Sequence, residues 1–314
     1  MISKAIIGIC KNAGKTTVLK HHLRNSDINY AITSIGLDGE SRDQIFNNSK
    51  PRIFVKENTI IATSINSLKK SDVTYEVLNM TNIMTPLGYI AIVNTLSAGY
   101  VEIAGTSNAS DLLYIKNWVN KHTNTDILYI DGALSRKQFS SIDFIDEVDI
   151  VIGAAFNQNM AKTLDEAILW NRLYSIKKYD FNPGSFNVII NDKKYKYDFI
   201  DVETLSQIVD VSTNFVFLDC IITSDAFNYI LTCSKQNKIK LVVENSNKLF
   251  INLNDFNKLL NSNLELFVRK KINISGIYIN PYGYGFSYDS DEFKTSVENI
   301  FNYEAINVGE QSES

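Results

Sequence analysis

The sequence predicts an α/β fold in three layers, a mainly parallel β-sheet between helices, with a β-hairpin insertion and a C-terminal α/β extension. Two observations in the pattern point there. Short β-branched runs alternate with stretches of helical apolar spacing, as βαβ units require, and the first such run passes through a glycine-containing loop straight into a helix. Composition adds a third: 314 residues, 45% hydrophobic and 21% charged, give ample core for one large domain or two ordinary ones.

Each element has its own signal. The run Lys4–Cys10 reads as the first strand, and residues 15–24 as a helix opening from the loop. Tyr30–Gly36 reads as the next strand, closed by the polar turn of residues 37–43. Residues 52–64 and 88–105 read as hairpin-forming strands inserted before the core resumes. Residues 107–122 carry helical apolar spacing behind a Ser-Asn-Ala-Ser-Asp cap. Two buried strands at 126–132 and 148–155 and a helix over 159–176 follow. Asn182-Pro183-Gly184 is the strongest break, and it divides the chain into a nucleotide-binding domain, 1–182, and a C-terminal region, 183–314, that could equally extend the same sheet. Beyond it the alternation continues through strands near 214–222, 239–245, 265–272 and 275–286 and helices near 225–236, 255–263 and 291–301.

Charge and cysteine usage remove several functions. A net charge of −4 provides no global field for nucleic acid or an anionic membrane. Cys10, Cys220 and Cys233 are odd in number, and neither they nor His21, His22 and His122 have zinc-ligand spacing. Reduced thiols, the lack of a signal-peptide pattern and the lack of an 18-residue apolar run together predict a cytoplasmic protein without a membrane span.

The stretch Gly8-Ile9-Cys10-Lys11-Asn12-Ala13-Gly14-Lys15-Thr16-Thr17 carries the chemistry. A phosphate-binding loop needs glycines for close backbone approach, a helix N-terminus with orphan N–H groups, a lysine for the β- and γ-phosphates and a hydroxyl for Mg²⁺. Gly8, Gly14, Lys15 and Thr16 meet those needs, and Thr17 suits the α-phosphate. The bland reading is a structural turn with a surface lysine. Downstream, four apolar residues run into Asp131-Gly132, the form of a metal-holding carboxylate at a strand end, although a strand-ending turn aspartate looks the same. Asp38, with Glu40 as its deputy, follows the second strand between Gly36 and Gly39; the readings are a catalytic or metal-holding acid and an Asp-Gly turn. Thr106, Ser107 and Asn108 end another strand and are either ligand contacts or a helix cap. No guanine-type Asn-Lys-x-Asp motif occurs, so ATP is the expected nucleotide. The aromatic-glycine stretch of residues 279–286 offers Asn280 as a base or partner contact, or is simply a tyrosine-rich turn.

The loop has five residues between its glycines where the common P-loop has four. In this it resembles dethiobiotin synthetase and cobyrinic acid synthase, P-loop NTPases of the MinD-like branch. That resemblance implies a three-layer P-loop fold, ATP with Mg²⁺, loop contacts from Gly8, Asn12, Ala13, Gly14, Lys15, Thr16 and Thr17, and a possible homodimer. Lys11 falls near the branch's second lysine but lies four residues before Lys15 rather than five, so a solvated loop lysine fits as well. No histidine follows His122, which excludes the glutaminase chemistry of the cobyrinic acid synthases. Together with residues 33–40, 131–137 and 279–286, the loop is similar to the reactivase subunit family of lysine 5,6-aminomutase. The family implies an ATPase, with Lys15, Asp38 and Asp131 as catalytic residues and Thr16, Asp38, Glu40 and Asp131 around the metal. It would expel damaged cobalamin from the mutase alongside a second reactivase subunit. The competing readings are an ATP-dependent ligase or kinase like dethiobiotin synthetase, and a nucleotide-switched interaction module.

Overall fold

The computed structural model describes residues 1–25, 28–35, 52–133, 144–197 and 200–309. It divides into two compact units: Met1–Met160 with Ile274–Ser314, and Ala161–Asn273.

The first unit opens with β1 (Ile2–Gly8), α1 (Lys15–Asn25) and β2 (Tyr30–Ser34). It continues through β3 (Ile53–Val55), β4 (Ile60–Ser64), the short α2 (Ile65–Leu68), β5 (Tyr75–Thr85), β6 (Gly88–Thr95) and β7 (Gly99–Val101). The helix α3 (Ala109–His122) leads into β8 (Ile127–Ala133) and β9 (Glu147–Gly153). The chain then leaves through α4 (Met160–Tyr174) into the second unit. That unit holds β10 (Val188–Ile190), β11 (Lys193–Tyr195), α5 (Val202–Ile208), β12 (Phe215–Leu218), β13 (Ile222–Thr223), α6 (Ser224–Cys233), β14 (Ile239–Val243), β15 (Leu249–Phe250), α7 (Leu253–Leu260) and β16 (Leu264–Val268). It returns to the first unit with β17 (Asn273–Asn280), α8 (Ser290–Phe301) and β18 (Ala305–Asn307).

One nine-stranded sheet, in the order β18-β17-β9-β1-β8-β2-β4-β6-β5, organises the first unit. From β9 through β4 neighbouring strands run parallel, and β6 and β5 close that edge antiparallel. The fold is thus mixed α/β around a mainly parallel sheet. Strands such as Ala-Ile-Ile in β1 and Ile-Val-Ile in β9 are continuously apolar because both of their faces are covered. Ile6, Leu19, Ile32, Ile61, Val93, Tyr129 and Val151 share one core.

The insertion differs in detail from its sequence reading. β6 pairs with β4 on one side and with β5 on the other, while β3 and β7 form a separate two-stranded ladder. β5 escaped notice because irregularities between Val77 and Asn79 and between Met80 and Met84 break its period-two pattern. The dividing line also falls elsewhere than at 182–184. The run Ile277-Tyr278-Ile279 is buried as an internal strand of the first sheet, so residues 161–273 are inserted between β9 and β17. The second unit has its own five-stranded sheet, β11-β10-β12-β14-β16, and its own core, including Leu169, Leu218, Phe227, Leu241 and Val268.

Candidate functional site

The loop of residues 9–14 joins the end of β1 to the start of α1, with β9 and β8 on either side of β1. Its shape is dictated from below. Ile9 N–H donates to the Val151 carbonyl at 3.2 Å, continuing the β1–β9 ladder into the loop. Ala13 is fully buried, and a Cβ on Gly153 would stand 2.7 Å from Ala13 Cα, so the loop rests directly on the bare backbone at the end of β9. Gly14 has φ +111°, a conformation that favours glycine, and passes the chain into the first turn of α1.

Lys15 is the first helical residue and is only 8% exposed. Its side chain folds back over Gly8, where a Cβ would lie 3.3 Å from Nζ, and donates to the Cys10 carbonyl at 3.0 Å. Burial lowers the ammonium's pKa; the nearby Asp131 carboxylate opposes that shift. Burial likewise raises the Cys10 thiol. The N-terminal turn of α1 carries no acidic side chain, whereas α3, α5, α6, α7 and α8 have Asp111, Glu203, Asp225, Asp255 and Asp291 there. Nothing on its own first turn offsets the partial positive charge of α1.

Asp131 lies on β8, paired in register with Ser34 of β2, and its Oδ1 accepts from Gly132 N–H at 2.7 Å. Gly132, at φ +94°, turns the chain against the Ile35 carbonyl. Thr16 and Thr17 are half-buried on the first turn of α1, and Lys11 and Asn12 are exposed. Asn12 has φ +60°, and its amide donates to the Tyr284 hydroxyl. Asn280 ends β17 beside Gly14, where a Cβ would meet its Nδ2 at 3.4 Å. The structure therefore gathers Gly8, Lys11, Asn12, Ala13, Gly14, Lys15, Thr16, Thr17, Asn280 and Asp131 around one loop. Asp38 and Glu40, with Gly36 and Gly39, lie outside the described residues. Asn108 is the N-cap of α3, accepting from Ser110 N–H at 2.9 Å, and Thr106 is buried and donates to Asp111 at 3.1 Å, so these two build the helix start.

Sequence reasoning missed what holds α1 down. Asp149 of β9 is fully buried; its Oδ2 lies 2.6 Å from His22 Nε2, and its Oδ1 accepts from Ser275 Oγ at 2.8 Å. The Tyr278 hydroxyl lies 3.1 Å from the same His22 nitrogen, and the His22 ring stacks on Tyr129. Burial and the Asp149 charge push the Tyr129 phenol up to about 12. A lone Val-Asp-Ile within an apolar strand was the available signal.

The donor set suits a phosphate chain with magnesium. Among the described residues no three His, Cys, Asp or Glu side chains converge as an all-protein metal cage. A magnesium carried by phosphates needs only one or two protein oxygens. No helix among the described residues is long and apolar enough to cross a membrane. Compared with protein-family models, curated proteins and solved structures, the chain finds no match.

Proposed function

We propose that the chain binds and hydrolyses ATP with Mg²⁺ at residues 8–17, acting as a reactivating factor for a cobalamin-dependent aminomutase. One observation carries the nucleotide half. Lys15 is a buried ammonium at the N-terminus of α1, whose first turn carries no acidic side chain, folded over Gly8 with the Asp131 charge close by. Burial outweighs the Asp131 charge at that ammonium, and a phosphate anion beside it would offset the remaining cost. The mutase half rests on the similarity of the four sequence stretches to the reactivase family.

In this reading the loop N–H groups and Lys15 hold the phosphates, Lys15 exchanging the Cys10 carbonyl for phosphate oxygen. Thr16 and Asp131 are the groups that would hold the metal, and Asn280, beside Gly14, is the contact for the base. Bound Mg²⁺ neutralises charge on the phosphates and makes the terminal phosphorus open to attack by water. The protein's share is positioning and fixed positive charge. The test is phosphate release from MgATP, alone and with lysine 5,6-aminomutase inactivated by turnover. Slow basal release, accelerated by the inactivated mutase, supports both halves. Release indifferent to the mutase overturns the reactivase half, and release only with an added carboxylate points to a ligase.

A further inference from the structure

The aromatic stretch after β17 is a built finger rather than a loose loop. Gly283 N–H donates to the Phe286 carbonyl at 2.9 Å, closing a four-residue turn, and Tyr282 and Ser287 form a bridge at its base. Gly285, the third residue of that turn, has φ +72°, in the left-handed region that favours glycine. Below it, Tyr288 N–H donates to the Pro281 carbonyl at 2.9 Å, the Tyr288 hydroxyl donates to the Asn157 carbonyl, and the Phe286, Tyr288 and Phe293 rings pack in series. At the other root, Tyr282 N–H donates to Asn280 Oδ1 at 3.2 Å. The tip residue, Tyr284, is 75% exposed, yet its hydroxyl accepts from the side-chain amide of Asn12. Asn12 is the loop's other residue of positive φ besides Gly14; asparagine tolerates that left-handed conformation, and the bond to Tyr284 ties it there.

We propose that Tyr284 is a positioning residue for the phosphate loop: through Asn12 it holds the loop's crown in its ligand-ready shape before a polyphosphate arrives. The proposal rests on the nucleotide reading above. A finger anchored at both roots and touching the loop at its crown acts on whatever the loop binds, by lowering the cost of ordering. It therefore affects a triphosphate with or without a base, which separates it from a base contact such as that assigned to Asn280.

The experiment measures Kd for MgATP and for magnesium tripolyphosphate in the wild type, Tyr284→Phe, Asn12→Gly and the double variant. Tyr284 is exposed, so loss of its hydroxyl leaves folding intact, and an unchanged melting temperature checks this. Removing one hydrogen bond is expected to weaken both ligands by the same factor, about three- to ten-fold. The double variant should lose little beyond the Asn12→Gly loss, since both changes remove the same contact. Wild-type affinities retained in Tyr284→Phe overturn the tether alone. A loss confined to MgATP also overturns it, in favour of a base contact. A wild type that binds neither ligand overturns the nucleotide reading itself.

Discussion

At the scale of single residues, Lys15 sets stability against the proposed function. Burial lowers its pKa, so the unfolded chain holds its proton more tightly than the folded one. Stability from this group is therefore fully present only above the ordinary lysine value and is lost as pH falls through the lowered one. At neutral pH the charge is a net burden on the ligand-free protein. Lys15→Met keeps the aliphatic stem and should make the ligand-free chain about 1 kcal/mol more stable in denaturant titrations, while removing any stabilisation by MgATP. The grouping of Gly8, Gly14 and Lys15 was legible in the sequence because all three fall within one short stretch between the first strand and the first helix. Asn12 was legible as a loop residue, but its tie to Tyr284 was not, since 272 positions separate them.

Among the elements, strands with continuous apolar runs were the easiest to read, and what sits at their ends was the hardest. Glu244 shows why. It follows β14 and is buried, with Arg269 donating from Nε and a terminal nitrogen at 2.5 Å each and Lys270 Nζ at 3.0 Å. Burial alone would raise the Glu244 carboxyl, but the bonds from Arg269 and Lys270 outweigh it and hold it below the usual glutamate range. Its stabilising contribution is thus present above the ordinary glutamate pKa and disappears as pH falls through the lowered one. Glu244→Gln should flatten the acid limb of the stability curve. Glu244→Ala, which leaves two cations without their carboxylate, should cost about 3 kcal/mol at neutral pH in denaturant titrations. Neither partner could be paired from sequence alone, because strand neighbours in a parallel sheet are joined by crossovers of about a dozen or more residues.

For the whole molecule, the alternation of strands and helices revealed the α/β class and the parallel sheet, while the order of strands stayed hidden. β17 and β18 return to the first sheet after an inserted unit, and no composition shift marks that return. The fragment 1–182 therefore lacks two strands of the nine-stranded sheet together with Asn280, and should fail to fold cooperatively. Residues 161–273, with their own core, should give a cooperative thermal transition by circular dichroism when expressed alone. The loop, Asp131 and the finger all belong to the discontinuous unit, so the proposed nucleotide site is built from both ends of the described chain. The most direct measurement of the central claim is phosphate release from MgATP by the full chain and by Lys15→Met, at matched folded fraction. Slow release by the wild type, reduced at least a hundred-fold in the variant, is the expected result, on the order of losing one transition-state charge contact. Equal release by both proteins, or none by either with no ATP bound, would contradict it.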